Sequence, residues 1–326
     1  LKRFQKLLGK LQHAAGILPA AKSLFTPLNV SLRNDPKWIS IPVDGDVRHA
    51  LLDFKTLIKS LATRPTHVNE LGFSNEDYVG YCDASAFGAG GVWFSGRLSL
   101  NPTVWRVQWP ADITSNVISD TNPLGTITNS DLEMAGVLVH QLVLEQMVDM
   151  RHKRSIIHCD NSPSVSWATR MSARGNSPTI AHRLLRGLAM RQRTSHSACP
   201  AVIHIPGIQN TLADVASRRI TEIDGLTASL GQFNPNLPPT VTFLTYFAAR
   251  FPLPQPSCWK IAIPNPELLS NVISTLQGQR LQMQRWTLLP GLLAGNNRCH
   301  MSECASSLRS SEMSPSRSSS NRSWPL

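Results

Sequence analysis

Four acidic residues occupy positions from which their carboxylates could act together on one substrate. Asp83 lies near the end of the predicted strand DYVGYCDAS, and Asp160 ends the predicted strand SIIHCD. Parallel neighbouring strands would bring both acids to one edge of a sheet, where the sites of α/β proteins usually form. Glu133 and Asp214 each fall in the first turn of a predicted helix, from which a side chain can reach that edge.

Carboxylates that crowd together repel one another unless cations neutralise them. Their hard oxygen atoms suit Mg²⁺ or Mn²⁺. Two such ions about 4 Å apart can activate a water and stabilise the leaving oxygen during phosphodiester cleavage. This chemistry requires all four acids to converge, which their spacing alone does not establish.

Helix capping offers a second interpretation of the two acids on helices. Ser130 and Glu133 have the spacing of a capping box, and Thr211 and Asp214 have a near variant of it. The two cysteines that precede the strand acids have a simpler interpretation. Alternation turns Cys82 and Cys159 to the opposite face from Asp83 and Asp160, so we expect them to be small core residues.

The order of predicted elements indicates an α/β fold with a five-stranded mixed sheet flanked by helices. The apolar periodicity predicts N-terminal helices at 1–16, 20–32 and 46–62. From residue 77 the predicted order is βββαβααβα. The first two strands lie before and after the Gly-rich turn, and the other three lie at 104–109, 155–160 and 201–205. The helices are predicted at 131–148, 164–171, 179–193 and 211–218.

Composition divides the chain into four segments. Residues 1–70 are predicted to be helical, and residues 75–220 carry the four acids. Residues 221–298 contain a Pro-rich linker at 233–266 and a possible helical stretch at 267–290. The Ser/Arg-rich residues 299–326 are expected to be disordered, so the C-terminal part is predicted to be largely irregular.

The formal net charge of +11 and pI of about 9.8 favour a polyanionic partner, with nucleic acid first. Six scattered cysteines without a CxxC pattern argue against a disulfide framework and favour a reducing, intracellular compartment, cytoplasmic or nuclear. No apolar run approaches the roughly 20 residues that a membrane span needs, so no membrane partner is expected. Six arginines fit either phosphate contacts or solvated helix faces: Arg170, Arg174, Arg183, Arg186, Arg191 and Arg193.

Four sequence motifs resemble ribonuclease H. The run YCDASAFGAGGVW (81–93) resembles the first two strands of that family, and NSDLEMAG (129–136) resembles the helix that carries its glutamate. HCDNSPSVSW (158–167) is similar to the strand-to-helix step. HIPGIQNTLADVASR (204–218) closely matches the ending of ribonuclease H domains of gypsy-type and DIRS-type retrotransposons. The motifs stand in the family's order across roughly 140 residues, which makes a chance match to all four improbable.

The resemblance implies a ribonuclease H-like fold and an endonuclease that cuts the RNA strand of an RNA/DNA hybrid. It assigns catalysis and the binding of two Mg²⁺ (or Mn²⁺) ions to Asp83, Glu133, Asp160 and Asp214. Substrate contacts are expected from Ser85, Asn161, Asn210, Arg183 and Arg186. For Asn210, a plain N-cap of the following helix is an equal alternative. Relatives carry a mobile histidine in the loop before the last helix, whereas this loop reads PGIQNT; His204 fits a strand residue as well as a catalytic one.

The N-terminal run LLGKLQHAAGILPAAKSLFTPL resembles the thumb or connection of long-terminal-repeat reverse transcriptases, but no Y-x-D-D occurs in the chain. We therefore expect a fragment of a polyprotein that partners a polymerase domain and does not itself polymerise DNA. A catalytically inactive nucleic-acid-binding remnant is the alternative. An integrase or transposase is disfavoured, because the last acid is Asp214 within N-x-x-A-D and those enzymes usually end their acidic triad on a glutamate.

Overall fold

The computed structural model of the chain describes residues 1–33, 41–43, 45–71, 76–95, 101–173, 180–218 and 239–287. All of these belong to one packing unit, Leu1–Leu292. The predicted disorder of 299–326, the part of the predicted segment 221–298 before residue 239 and the expectation for Arg174 fall outside the described residues. Within the described ranges, no helix combines the length and the apolar character needed to cross a bilayer.

A mixed sheet forms the centre of the fold, as the α/β prediction required. Its strands lie in the order β5-β4-β1-β2-β3-β6. β1, β2 and β3 form an antiparallel meander, β4 runs parallel to β1, and β5 runs parallel to β4. The strands are β1 Glu76–Ala84, β2 Gly88–Ser95, β3 Thr103–Gln108, β4 Arg154–Cys159, β5 Ala201–His204 and β6 Lys260–Ala262.

The prediction of five strands is wrong, because a sixth strand, β6, pairs with β3 at the edge of the sheet. β6 pairs parallel to β3, with Lys260 opposite Thr103 and Ala262 opposite Trp105. The backbone N–H of Lys260 also donates to the carbonyl of Pro102 at 2.9 Å. This strand lies within the stretch 233–266, which its proline content had predicted to be a linker. An edge strand of three residues is too short for a period-two pattern to mark it.

Eleven α-helices lie in the described part of the chain, together with short 3₁₀ turns. They are α1 Lys2–Ala14, α2 Phe25–Val30, α3 Asp46–Thr63, α4 Ala111–Thr114, α5 Asn129–Met147, α6 Ser162–Arg170, α7 Ile180–Ser195, α8 Thr211–Ser217, α9 Pro239–Arg250, α10 Pro266–Leu276 and α11 Met283–Trp286. The helical stretch predicted at 267–290 is confirmed in part, since α10 ends before Gly278, whose φ of +80° is the conformation that glycine adopts most readily.

α5 covers one face of the sheet and is buried along most of its length, which explains why its sequence is apolar on all sides. Its contact with β1 is close. A Cβ atom added at Gly80 would lie 2.2 Å from Nε2 of His140, so only glycine fits there. The His140 ring stacks on Trp93 of β2 and accepts a hydrogen bond from Nε1 of Trp105 at 2.7 Å. These contacts fix the middle of α5 over β1, β2 and β3.

α8 and α9 cover the opposite face and build a second apolar cluster. Phe243 and Phe247 of α9 are buried against Val92 and Val104 of the sheet, beside Trp259. α8 packs so closely that a Cβ atom added at Gly90 would lie 2.3 Å from the backbone of Ala216. α9 therefore also corrects the linker prediction for 233–266.

The helical N-terminal segment shares its core with the sheet domain. Leu18, Leu24 and Phe54 belong to the same buried cluster as residues of α5 and α7. Asp53 of α3 makes a buried ion pair with Arg186 of α7. The described residues on either side of the predicted boundary between 70 and 75 belong to the same packing unit.

Candidate metal centre

The register of two parallel strands places Asp83 and Asp160 side by side. Tyr81 of β1 lies opposite His158 of β4, and each acid follows two residues later in its chain. Both carboxylates therefore stand at the carboxyl ends of adjacent strands, as the sequence predicted. Asp83 is buried and Asp160 is half-buried.

Asp83 is buried in the protein and has two other acids as neighbours. Its pKa is raised to about 6, first because burial disfavours the charged form and then because Asp160 and Asp214 repel it. The hydroxyl of Ser217, which donates to Oδ2 of Asp83, and the cation of Arg218 partly offset this rise. The carboxylates of Asp160 and Asp214 therefore lie near that of Asp83.

Glu133 reaches the same site from α5. Its side chain is 4% exposed, and its Oε2 accepts a hydrogen bond from the backbone N–H of Ala84 at 3.2 Å. Burial raises the pKa of Glu133 well above its usual value, and Asp83, Cys159 and Asp160 raise it further. A neighbouring cation would therefore stabilise the charged form of this carboxylate.

Capping does not explain Glu133. α5 begins at Asn129, and its cap is Thr128, whose Oγ1 accepts from the N–H of Asp131 at 3.1 Å. The carboxylate of Asp131 accepts in return from the N–H of Thr128 at 2.9 Å. The capping box thus lies two residues before the one that the sequence suggested, and Glu133 is left available to the site.

Asp214 lies at the rim of the site on α8. Its side chain is 38% exposed and forms an ion pair with Arg218, with 2.8 Å between the charged atoms. The suggested capping variant does not form, because Oγ1 of Thr211 donates to the carbonyl of Ile208 instead. Asp214 repels the charge of Asp83, while Arg218 balances the charge of Asp214.

Three ligand atoms lie within 4.8 Å of one another and could hold one metal ion. They belong to Glu133, Cys159 and Asp160. Cys159 is the member that sequence reasoning missed, because alternation assigned it to the core. It is fully buried as predicted, yet its Sγ lies 3.9 Å from Oε2 of Glu133. Its position next to Asp160 was the available signal.

The loop between β5 and α8 lies directly on Asp160. A Cβ atom added at Gly207 would be 2.9 Å from Oδ2 of Asp160. Asn210 anchors this loop: it is fully buried, and its Nδ2 donates to the carbonyl of Cys82 at 3.0 Å. Asn210 occupies the N-cap position of α8 without capping through its side chain. His204 lies nearby, with Nε2 3.1 Å from the carbonyl of Asp160.

Ser85 and Asn161 stand next to the site but hold local structure. Oγ of Ser85 donates to the carbonyl of Ser217 at 3.1 Å and accepts from the N–H of Phe87 in the β1–β2 turn. Oδ1 of Asn161 accepts from the N–H of Ser164 at 3.0 Å and so caps α6. Their hydrogen bonds position the chain on either side of the acids.

Arg183 and Arg186 are engaged elsewhere in the fold. The side chain of Arg186 is 5% exposed, and two of its nitrogens bind the carboxylate of Asp53 at 2.6 and 2.9 Å. Arg183 donates to the carbonyl of Gly278. The structure thus ties Arg186 to α3 and Arg183 to the segment after α10. It does not bring Arg186 to a surface where a substrate could touch it.

Two further arginines of α7 correct the sequence interpretation of the basic cluster. Arg191 forms a buried ion pair with Glu145 at 2.7 Å, and Arg193 lies 3.8 Å from the buried carboxylate of Glu70. With Arg186, they are neither solvated nor exposed to phosphates. Each of these arginines pairs with a carboxylate that lies far from it in the sequence, so no local pattern revealed the pairs.

Comparison with known proteins adds no assignment. No model of a protein family matches the sequence, and no curated protein matches it significantly.

Proposed function

We propose that this chain is a ribonuclease H-type endonuclease that cleaves the RNA strand of RNA/DNA hybrids by two-metal-ion hydrolysis. The observation that carries the proposal is the convergence of Asp83, Glu133 and Asp160 from two adjacent strands and a helix, with Asp214 at the rim. Groups that share a site at such electrostatic cost are candidates for function more often than for stability.

The motifs that resemble ribonuclease H support this assignment by where they lie. Residues 81–93 cover the end of β1 and most of β2, and residues 129–136 begin α5. Residues 158–167 span the step from β4 to α6, and residues 204–218 run from the end of β5 through α8. Each motif contributes its acid to the same sheet edge. The parent protein that we propose is a reverse transcriptase polyprotein of a gypsy-type or DIRS-type retrotransposon.

The donor set fits hard divalent cations. Four carboxylates supply the oxygen ligands that Mg²⁺ and Mn²⁺ prefer. The raised pKa values of Asp83 and Glu133 have repulsion between acids among their causes, which bound cations would remove. Asp83, Glu133, Asp160 and Asp214 would hold two such ions, which lower the pKa of a bound water and stabilise the charge of the departing oxygen.

The surrounding groups orient these acids before any cation binds. The hydroxyl of Ser217 fixes Oδ2 of Asp83, and the backbone N–H of Ala84 fixes Oε2 of Glu133. Asn210 holds the Gly207 loop against Asp160. Such preorganisation lowers the cost of rearranging charged groups during the reaction.

The substrate follows from charge and from the resemblance. A net charge of +11 supports sequence-independent binding to phosphates. A hybrid would be distinguished from duplex DNA by its groove shape and its 2′-hydroxyl groups.

A cleavage assay on a labelled RNA/DNA hybrid tests the proposal. We expect the full chain to cut the RNA strand only when Mg²⁺ or Mn²⁺ is present, and Asp83→Asn and Asp160→Asn to lower the rate by at least about a hundredfold. Asp149→Asn is the matched control, because Asp149 is an exposed acid paired with Arg151 away from the site. Metal-independent cleavage, or full activity in both site variants, would contradict the proposal.

Hybrid binding without cleavage would instead identify a catalytically inactive remnant. Such a chain would bind hybrids with an affinity that falls steeply with salt, because counterion release dominates it. The ion pair between Asp214 and Arg218 is the observation that favours this alternative, since the arginine occupies a carboxylate that the reaction needs.

A further inference from the structure

The carboxylate site continues inward to a thiol. Cys159 precedes Asp160 in the chain, is fully buried, and places its Sγ 3.9 Å from Oε2 of Glu133. One ligand atom from each of Glu133, Cys159 and Asp160 lies within 4.8 Å of the other two. Hard cations such as Mg²⁺ gain little from sulfur, whereas thiolate is a preferred ligand of softer ions.

The sulfur–oxygen distance in this trio can be compared with that of a zinc centre. In a tetrahedral centre, a Zn–S bond of about 2.3 Å and a Zn–O bond of about 2.1 Å place the sulfur and oxygen about 3.6 Å apart. The Sγ atom of Cys159 donates a hydrogen bond to Oε2 of Glu133 at 3.9 Å, so the two atoms would move about 0.3 Å closer around a zinc ion.

We propose that a thiophilic divalent cation of the Zn²⁺ or Cd²⁺ class binds between Glu133, Cys159 and Asp160, through one sulfur and one oxygen from each carboxylate. The S–H bond of Cys159 breaks as the sulfur–metal bond forms, and the proton leaves to solvent, so no oxidant or reductant is involved. Three protein ligands leave a fourth position open. The ion shares Glu133 and Asp160 with the proposed nuclease site, and it therefore inhibits cleavage by excluding the ions that the reaction uses.

Cd²⁺ titration of the full chain tests this site through the near-ultraviolet absorption of the cadmium–thiolate bond. The parent variant carries serine at Cys199, Cys258, Cys299 and Cys304, so that only Cys82 and Cys159 can report. We expect a band that saturates at one Cd²⁺ per chain. Cys159→Ser should abolish the band and weaken Cd²⁺ binding at least about tenfold, while Mg²⁺ binding changes little.

Cys82→Ser is the matched control. Cys82 is equally buried, lies on the adjacent strand and also precedes a site acid, but it is not among the three grouped ligands. We expect its band to persist. No band in the parent variant, or a band that Cys159→Ser retains, overturns the inference. If Cys159→Ser does not fold, Glu133→Gln keeps both thiols and should weaken Cd²⁺ binding at least about tenfold, and unchanged binding overturns the inference.

Failure of this inference and failure of the nuclease proposal have different signatures. If hybrids are not cleaved but the Cd²⁺ band requires Cys159, the nuclease proposal fails and the thiophilic site stands. If hybrids are cleaved with Mg²⁺ and Cd²⁺ neither binds nor inhibits, the thiophilic site alone fails.

Discussion

Burial and charge oppose each other at the individual acids of the candidate site. Asp83 and Glu133 are almost fully buried, and burial is the largest cause of the raised pKa of each. Strand alternation and position at strand ends identified Asp83 and Asp160 from the sequence, because both signals are local. The contact between Glu133 and Cys159 depends on how α5 packs on the sheet, which no local pattern encodes. Asp214 and Arg218 are four residues apart, a spacing at which opposite charges on a helix meet.

Asp83→Asn should stabilise the metal-free chain at neutral pH. The pKa of Asp83 is about 6 in the folded chain against 3.8 in a free side chain, so its ionisation opposes folding. The penalty is absent below about pH 4, grows as the pH rises towards 6 and is complete above it. Urea unfolding at pH 7.5 should show a gain of about 1–3 kcal/mol for the variant, and the gain should vanish near pH 3.5.

Asp149→Asn provides the comparison, since the pKa of Asp149 is lowered by its hydrogen bonds to Arg151. That variant should show no gain at pH 7.5. A loss of stability in Asp83→Asn at pH 7.5 would mean that the carboxylate is stabilised in the folded state without a cation.

At the scale of elements, the start of α5 shows how far sequence patterns reach. Thr128 and Asp131 stand three residues apart, as Ser130 and Glu133 do, but the usual pattern ends in glutamate or glutamine, so the sequence predicted the second pair. The structure uses the first pair, and Oδ1 of Asp131 also accepts from the N–H of Ala181 in α7 at 3.1 Å. A tertiary contact therefore accompanies the cap and leaves Glu133 for the site.

Thr128→Val should destabilise the chain by about 1 kcal/mol, because it removes the acceptor for the N–H of Asp131 while keeping the side-chain shape. Ser130→Ala is the control, and its free energy of unfolding should change by less than about 0.5 kcal/mol. Urea denaturation of both variants measures the difference. Equal effects, or a larger effect from Ser130→Ala, would place the cap where the sequence first suggested.

The sequence did not predict helix α9, which is helical because of its packing. α9 reads PTVTFLTYFAAR, and its β-branched and aromatic residues have modest helix propensity. It is helical because Phe243 and Phe247, one turn apart, bury their rings against the sheet. Intrinsic propensity gives way to tertiary contact here, so the proline content of the region was a poor guide.

For the whole molecule, composition predicted four segments, and the described residues belong to one packing unit, Leu1–Leu292. The α/β class and the order of the first five strands followed from the change of apolar period along the chain. The packing of the N-terminal helices against α7 could not be predicted from that pattern. It depends on ion pairs such as that between Asp53 and Arg186, which are 133 residues apart.

Arg186→Met should cost about 3–5 kcal/mol, because removing one partner of a buried ion pair leaves Asp53 as an uncompensated charge. The affinity of the folded variant for a hybrid should stay within about twofold of the parent, since Arg186 is buried against α3. Arg151→Met is the control: its pair with Asp149 is exposed, and little change is expected. Urea unfolding and hybrid-binding titrations measure both. A large loss of affinity in Arg186→Met would restore the sequence expectation that this residue contacts substrate.

The central claim, that Asp83, Glu133, Asp160 and Asp214 form one divalent-cation site, is tested most directly by calorimetric titration of the metal-free chain with Mn²⁺ at pH 7.5. We expect saturable Mn²⁺ binding that Asp83→Asn and Asp160→Asn each weaken at least about tenfold, while Asp149→Asn leaves it unchanged. Absence of binding in the unaltered chain, or equal binding in all three variants, would contradict it.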